Sequence, residues 1–243
     1  MLYRQPKTPH VRRMGPFAIR RIFPGASVPG HDDHGYAALA AVDDATLEPG
    51  TLVAMHEHRN DEIVSYVHEG SMHHDDSTGT RLDINARNLM VMNAGRSFWH
   101  EERTLDSDAT TRTLQIFIRP HTVDLEPKLQ HLSLDEAPAD EWRYLTGPEG
   151  SDAPTTVRNS IMLFDGHLSA GAKLALPARA AWDTYIVVLR GSIQVEKRIL
   201  RAVESALLKD ETGADIEALE ECLLVVFLID PAADLTYSGT IGN

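Results

Sequence analysis

The sequence predicts an all-β protein of barrel or sandwich type, built from two copies of one fold. Short apolar segments rich in Val, Ile, Leu and Tyr recur along the 243-residue chain, separated by clusters of Gly, Pro, Asn and Asp. Many short strands at regular spacing are typical of β-barrels and β-sandwiches. The chain also repeats itself at a fixed offset, and it is long enough to form two such domains.

The predicted strands form two series. The first series comprises residues 17–23, 51–55, 63–67, 89–92 and 113–118. The second series comprises residues 160–164, 173–176, 184–189, 192–196 and Cys222–Ile229. The proline-rich stretch 119–150 predicts a connector between the halves. The segment 199–208 stays ambiguous, because its apolar residues have helical spacing while its flanks resemble strands.

An internal repeat with an offset of 121 residues links the two series. The segment Leu-Glu-Pro-Gly at 47–50 is echoed by Leu-Ser-Ala-Gly at 168–171. With the same offset, the apolar segment 63–67 matches the segment 184–188 in character. A gap-free match of this length predicts a duplicated β fold.

The same offset predicts that the two halves differ in chemistry. His56 falls on Pro177, and His58 falls on Arg179. If the halves are copies, only the first half keeps this pair of histidines. The second half is then expected to act as a structural partner of the first, or as a lid and wall for it.

Composition excludes several classes of function. The chain has 23 Lys and Arg against 36 Asp and Glu, and its formal charge of -13 argues against binding to nucleic acid or anionic membranes. The apolar run Cys222–Ile229 is far too short to cross a bilayer. Its cysteine is the chain's only one, which excludes an intramolecular disulfide and suits a buried position in a cytoplasmic protein. The basic N-terminus is followed by no apolar stretch, so we expect no secretory signal.

Two pairs of potential metal ligands are the strongest indication of function in the sequence. His56 and His58 stand at positions i and i+2, as do His100 and Glu102. On a strand, such pairs point to the same face. Two dyads on two strands supply three imidazole nitrogens and one carboxylate oxygen, a set that suits a divalent first-row metal. We therefore predict that these four residues bind one metal ion inside the first barrel.

The spacing around the first dyad resembles the first motif of the cupin family. That motif is matched by Gly50-x5-His56-x-His58-x3-Glu62-x7-Gly70. In many cupins the glutamate of this motif is itself a metal ligand.

The resemblance becomes more specific to the pirin family in the second motif. Residues 93–102 contain Ala-Gly-x4-His-x-Glu, which resembles the pirin turn and strand that supply ligands. Residues 56–59 and 66–70 also resemble pirin segments, although Glu57 stands where pirins usually have proline. The likeness is strong over residues 50–120 and weaker from residue 144 onward.

The resemblance implies a bicupin fold, with two tandem jelly-roll barrels and few short helices. Residues 1–125 would form the metal-binding barrel, 126–150 a connector and 151–243 a second barrel without ligands. Packing of the N-terminal segment on the second barrel stays open. In the pirin arrangement Glu102 replaces Glu62 as the fourth ligand, so we expect Glu62 behind the ligands or on the surface. For the segment 73–76 we expect a hairpin role rather than a ligand role.

The same resemblance implies a dioxygenase that cleaves flavonols such as quercetin at an open metal position. Iron(II) is the first expectation, and manganese, cobalt, nickel, copper and zinc suit the same ligands. Glu102 would remain a ligand or act as general base toward the flavonol hydroxyl. Met55, Phe98 and Trp99 would line an apolar mouth, although core packing explains them equally well. The alternatives are a non-enzymatic, redox-responsive regulator that binds a protein partner, and a metal-stabilised binding protein for a small ligand.

Overall fold

The computed structural model describes residues 1–8, 10–210 and 213–242. Within these ranges the chain forms twenty-two β-strands and a single 3-10 turn at Pro24–Ser27. The strands of the first half, with β1 at the N-terminus, are β1 (Leu2–Gln5), β2 (Arg12–Met14), β3 (Phe17–Ile22), β4 (Leu39–Leu47), β5 (Leu52–His58), β6 (Glu62–Glu69), β7 (Ser71–Asp76), β8 (Arg81–Asn85), β9 (Asn88–Asn93), β10 (Phe98–Arg103), β11 (Thr111–Ile118) and β12 (Lys128–Ser133). The strands of the second half are β13 (Trp142–Pro148), β14 (Thr155–Val157), β15 (Ile161–Leu168), β16 (Lys173–Ala175), β17 (Asp183–Arg190), β18 (Ser192–Val195), β19 (Arg198–Arg201), β20 (Ser205–Leu208), β21 (Asp215–Ala218) and β22 (Cys222–Ile229).

Each half is a pair of sheets packed face to face. In the first half, a seven-stranded sheet has the order β12-β9-β6-β11-β4-β3-β2 and a four-stranded sheet has the order β5-β10-β7-β8. In the second half, the corresponding orders are β1-β20-β17-β22-β15-β13-β14 and β16-β21-β18-β19. This arrangement of two tandem jelly-roll units confirms the predicted all-β bicupin fold.

The two halves repeat each other strand by strand. Strands β5, β6 and β7 begin 121 residues before β16, β17 and β18, which is the offset seen in the sequence. The order of the equivalent strands within the sheets is also the same. The ambiguous segment 199–208 belongs to this pattern, because it forms β19, a turn and β20. Tertiary packing thus overrides the helical spacing of its apolar residues.

One edge of each seven-stranded sheet is covered by a strand from outside the repeat. β12 pairs with β9 of the first half, and β1 from the start of the chain pairs with β20 of the second half. The segment 126–150, predicted as a connector, therefore also supplies β12 and β13 to the two large sheets. An uncovered edge would leave a row of unpaired backbone N–H and C=O groups, which these strands satisfy.

The two large sheets pack against each other through a shared apolar core. This core contains residues of both halves, among them Val64, Ile116, Val187 and Phe227, each no more than 1% exposed. Each large sheet is therefore buried on both faces, which favours apolar residues on both faces of its central strands. Strand β22 shows the result, because all eight of its residues are buried. Its cysteine, Cys222, has a raised thiol pKa of about 11, caused by burial.

Buried polar contacts cross the same interface. The Arg158 side chain donates to Glu62 Oε1 from Nε at 2.8 Å and from Nη2 at 2.6 Å, and its backbone N–H donates to Glu62 Oε2 at 3.1 Å. The hydroxyl of Tyr66 donates to Asp165 at 2.8 Å, and that of Tyr36 donates to Asp183 at 2.5 Å. These directional contacts fix how one half sits on the other.

No helix in the described residues is long and apolar enough to cross a membrane.

The ion pair between Glu62 and Arg158 gives a stability prediction. Replacing Arg158 with leucine leaves the fully buried Glu62 carboxylate without its cation, so the free energy of unfolding should fall by about 3–5 kcal/mol. The matched control is Arg190→Leu, which breaks an exposed ion pair with Glu221 and should cost at most about 1 kcal/mol. Urea denaturation followed by circular dichroism measures both. Equal losses in the two variants would contradict the role assigned to the buried pair.

Candidate metal centre

The predicted ligands lie on two neighbouring strands of the first half. β5 and β10 are antiparallel, and their register places His56 opposite His100 and His58 opposite Phe98. The register shifts between His100 and Glu102, which is the mark of a β-bulge. Such bulges change the direction in which side chains point, and here the bulge lies directly beside the histidine cluster.

Three imidazoles meet between these strands. One nitrogen from each of His56, His58 and His100 lies within 4.8 Å of the other two. The ring centroids are 4.5 Å apart for His56 and His100, 5.0 Å for His56 and His58, and 5.2 Å for His58 and His100. His58 and His100 are buried, whereas His56 is half-buried. The cluster is therefore reached from the side of His56.

Hydrogen bonds orient two of the rings. His56 Nδ1 lies 2.9 Å from the carbonyl oxygen of Ala54, and His58 Nδ1 lies 3.4 Å from Asp61 Oδ2. Asp61 is held in turn by the backbone N–H groups of Ile241 and Gly242, at 3.2 Å and 3.1 Å. The C-terminal segment of the second half thus supports a residue that orients a histidine of the first half. When Nδ1 is hydrogen-bonded in this way, Nε2 remains available to a metal.

Glu102 lies beside this triad but is not part of the same close group. Its Oε2 accepts a hydrogen bond of 2.6 Å from Gln115 of β11, and its Oε1 lies 3.9 Å from His100 Nδ1. Oε1 is buried and has no hydrogen-bond partner, and neither has His100 Nε2. Because a buried polar atom without a partner is costly, two such atoms in one cluster indicate a site for a further group.

His74 joins the cluster from the other side of β10, where sequence reasoning expected only a hairpin. It lies on β7 in register with Glu102, is 1% exposed and forms a second close group with His100 and Glu102. The sequence carried one clue to this position. Met72, His74 and Asp76 alternate along β7, and all three are buried, so they share the inner face of the sheet.

The pKa values of His56, His74, His100 and Glu102 are shifted toward the neutral forms. Burial, helped by the nearby imidazoles of His56, His58 and His74, lowers the pKa of His100 to about 2. Burial also raises the pKa of Glu102 to about 7, even though the hydrogen bond from Gln115 favours the charged form. At neutral pH the imidazoles of His56, His74 and His100 therefore present lone pairs rather than positive charges. Neutral imidazoles and a carboxyl group form a donor set that fits a divalent metal ion, and two of their atoms, His100 Nε2 and Glu102 Oε1, have no other partner.

The second half has no equivalent cluster in the part of the chain that the structure describes. Pro177 and Arg179 follow β16 instead of the two histidines, and the guanidinium of Arg179 stacks over the ring of Trp182 at 4.3 Å. A cationic side chain at this position opposes metal binding.

Several neighbouring residues have other roles. Glu62 belongs to neither close group and is fully buried against Arg158, so the surface alternative for it was wrong. Phe98 is 2% exposed and belongs to the apolar core of the first half. Met55 and Trp99 are 45% and 43% exposed, and they alternate with inward-facing residues, which places them on the outer face of the sheet.

Comparison with known proteins assigns the family. The family model described as Pirin matches residues 3–118, and the model described as quercetinase C-terminal cupin domain matches residues 144–230. A protein of Pseudomonas aeruginosa named putative quercetin 2,3-dioxygenase is 30% identical over 202 residues, covering 81% of this chain and 85% of that protein. The chain belongs to the pirin family. The likeness that the sequence showed over residues 50–120 thus extends over both halves of this pirin-family protein.

Two further relatives bear on the site. A quercetin 2,3-dioxygenase of Escherichia coli is 23% identical over 197 residues, covering 81% of this chain and 84% of that protein. The crystal structure of the pirin YhhW of Escherichia coli in complex with nickel(II) has a TM-score of 0.82 and 20% identity, covering 94% of this chain and 99% of that chain. At that identity the structural likeness supports the pirin fold of this protein.

The raised pKa of Glu102 gives a pH prediction for the metal-free protein. The unfolded chain loses this proton near its ordinary value of 4.5 and the folded protein near 7, so ionisation of Glu102 costs stability as the pH rises through this window. Relative to the wild type, Glu102→Gln should therefore gain up to about 3 kcal/mol in unfolding free energy between pH 4.5 and pH 8.

Urea denaturation in the presence of a chelator measures this difference. The control is Glu101→Gln, a less buried neighbour that contacts Arg103 and should produce no gain of this kind. A difference between Glu102→Gln and the wild type that does not change with pH would contradict the prediction.

Proposed function

We propose that this pirin-family protein binds one divalent transition metal through His56, His58, His100 and Glu102. The observation that carries the proposal is the pair of buried, unpartnered atoms, His100 Nε2 and Glu102 Oε1, beside two further imidazoles. Glu102 follows His100 at i+2 on the same strand, and its free oxygen is available to complete the set. His74 is not included in the ligand set, because both of its ring nitrogens are within hydrogen-bond distance of other groups, Asp76 and His100.

Iron(II) is our first proposal for the metal. Three neutral imidazoles and one carboxylate also suit manganese, cobalt, nickel, copper and zinc, because affinity among these ions depends more on ligand type and availability than on the fold. A related pirin has been crystallised with nickel(II), which supports a first-row divalent ion.

We further propose that the protein cleaves flavonols such as quercetin with dioxygen. Relatives along most of the chain are named quercetin 2,3-dioxygenases, and a set of four protein ligands leaves room for a substrate oxygen. When bound, the metal would supply a Lewis-acidic position that stabilises the deprotonated flavonol oxygen.

The residues of the chain would prepare the substrate for this step. The carboxylate of Glu102 would accept the proton of the flavonol hydroxyl if it leaves the metal when the substrate binds. His56, the half-buried member of the cluster, lies on the side from which a ligand enters. His58 and His100 are buried, so that water would not reach the metal site from their side.

The metal site is tested by removing single ligands. His56→Ala and Glu102→Ala should each lose most of the bound metal, because each removes one of four donors from a site built for all of them. His73→Ala is the matched control, since His73 is the neighbour of His74 but contacts Asp83 and Asp108 outside the cluster. Mass spectrometric metal analysis of the purified proteins gives the stoichiometry. Full occupancy in both ligand variants would refute the site.

The reaction is tested with quercetin. Anaerobic addition of the metal-loaded protein should shift the flavonol absorbance, and air should then start turnover. Glu102→Gln should turn over roughly 10²–10⁴-fold more slowly per bound metal, because it cannot accept the proton. A metal-loaded protein that neither shifts nor cleaves flavonols with any of several metals would rule out the dioxygenase. It would leave the regulator that binds a protein partner as the favoured alternative.

A further inference from the structure

A chain of three buried groups, Asp76, His74 and His100, runs along the inner face of the four-stranded sheet to the proposed metal site. Asp76 Oδ2 lies 3.2 Å from His74 Nε2, and His74 Nδ1 lies 3.4 Å from His100 Nδ1. His74 and His100 are 1% and 2% exposed, and the Asp76 side chain is fully buried. His100 Nε2, the far end of the chain, has no partner.

The carboxylate at the start of this chain is fixed by its own donors. Asp76 Oδ1 accepts hydrogen bonds from the backbone N–H of Thr78 at 2.8 Å, from the hydroxyl of Thr78 at 2.6 Å and from the backbone N–H of Thr80 at 3.1 Å. Three donors on one oxygen hold the carboxylate in a single orientation and favour its ionised form. Its other oxygen, Oδ2, can therefore only accept a hydrogen bond from His74.

This arrangement sets the proton positions on both histidines. His74 must carry its proton on Nε2 in order to donate to Asp76, and a neutral ring then has a lone pair on Nδ1. That lone pair accepts the proton of His100 Nδ1, so His100 in turn has its lone pair on Nε2. A second proton on His74 would place a positive charge in a buried cluster of imidazoles, which burial opposes.

We propose that Asp76 and His74 are positioning residues, which hold His100 in the tautomer that directs the Nε2 lone pair toward the metal. This inference rests on the proposed metal site and deepens it. It also explains why His74 is not a ligand although it lies within reach of His100 and Glu102, since its Nδ1 lone pair is already used. Metal-binding histidines commonly donate their second N–H to a fixed acceptor, and here the acceptor is another imidazole backed by a carboxylate.

The substitution Asp76→Asn tests the inference, because it reverses the donor and acceptor roles in the hydrogen bonds from residue 76 to His100. It changes the size and shape of the side chain very little. The three donors around Oδ1 require the amide oxygen at that position, so the amide NH₂ must face His74 Nε2. His74 then accepts on Nε2 and donates from Nδ1, and His100 must carry its proton on Nε2, where it blocks the metal. Cobalt(II) affinity, measured by absorbance titration, should fall by roughly 10–100-fold.

The matched control is Asp75→Asn. It removes one negative charge from the adjacent residue, whose carboxylate contacts Arg81 and Arg103 outside the chain of hydrogen bonds. It should leave cobalt affinity unchanged. Equal losses in both variants would show that charge alone matters, and would overturn the inference.

Nitrogen-15 NMR of the metal-free proteins reads the tautomers directly. In the wild type the proton should be on Nε2 of His74 and on Nδ1 of His100, and Asp76→Asn should exchange both assignments. The opposite tautomers in the wild type, or no change in the variant, would refute the inference. This measurement needs no metal. If the tautomers are as expected but the protein binds no metal, the proposed function is contradicted. The inferred hydrogen bonds from Asp76 through His74 to His100 are then still supported.

Proton NMR of the cobalt(II)-loaded wild type separates the positioning role of His74 from a ligand role. Each coordinated imidazole contributes one exchangeable, strongly shifted N–H resonance. Three such resonances are expected, from His56, His58 and His100. A fourth resonance that disappears in His74→Phe would identify His74 as a ligand and overturn the inference.

Discussion

The contact between the two seven-stranded sheets is the constraint on which the rest of the structure depends. Each large sheet is buried on both faces, so neither half is complete without the other. The ion pair of Glu62 with Arg158 fixes the relative position of the halves inside this apolar contact. The small sheets, on the outside of the molecule, are then free to differ. One of them carries the histidine cluster, and the other has an apolar inner face.

Much of this architecture could be predicted from the sequence, because strand alternation and the repeat are local patterns. Pairing His56 with His58 and His100 with Glu102 needed only the two-residue period of a strand. The partner of Glu62 could not be found in this way, because Arg158 lies 96 residues further along and belongs to the other half. The coverage of sheet edges by β1 and β12 was also hidden, since it depends on where distant segments return to the sheets.

His74 shows a different limit of sequence reasoning. Its alternation with Met72 and Asp76 placed it on an inner face, but whether it would meet His100 there depended on the order β5-β10-β7 within the small sheet. Strand order is a property of the whole fold and is not visible in a single segment. The same order puts His100 on the strand between β5 and β7, so that His56 and His58 approach it from one side and His74 from the other.

The second half shows how the same fold fills the equivalent positions without the histidine cluster. In the first half His74 of β7 is in register with Glu102 of β10, and in the second half the corresponding pair is Val195 of β18 and Ile216 of β21. Both of these apolar residues are at most 1% exposed and belong to the core of their half. The fold can therefore fill these positions with apolar side chains, which leave no buried polar atom without a hydrogen bond. In the first half, by contrast, the cluster leaves His100 Nε2 and Glu102 Oε1 buried without a partner, which costs stability that the proposed metal ion would offset.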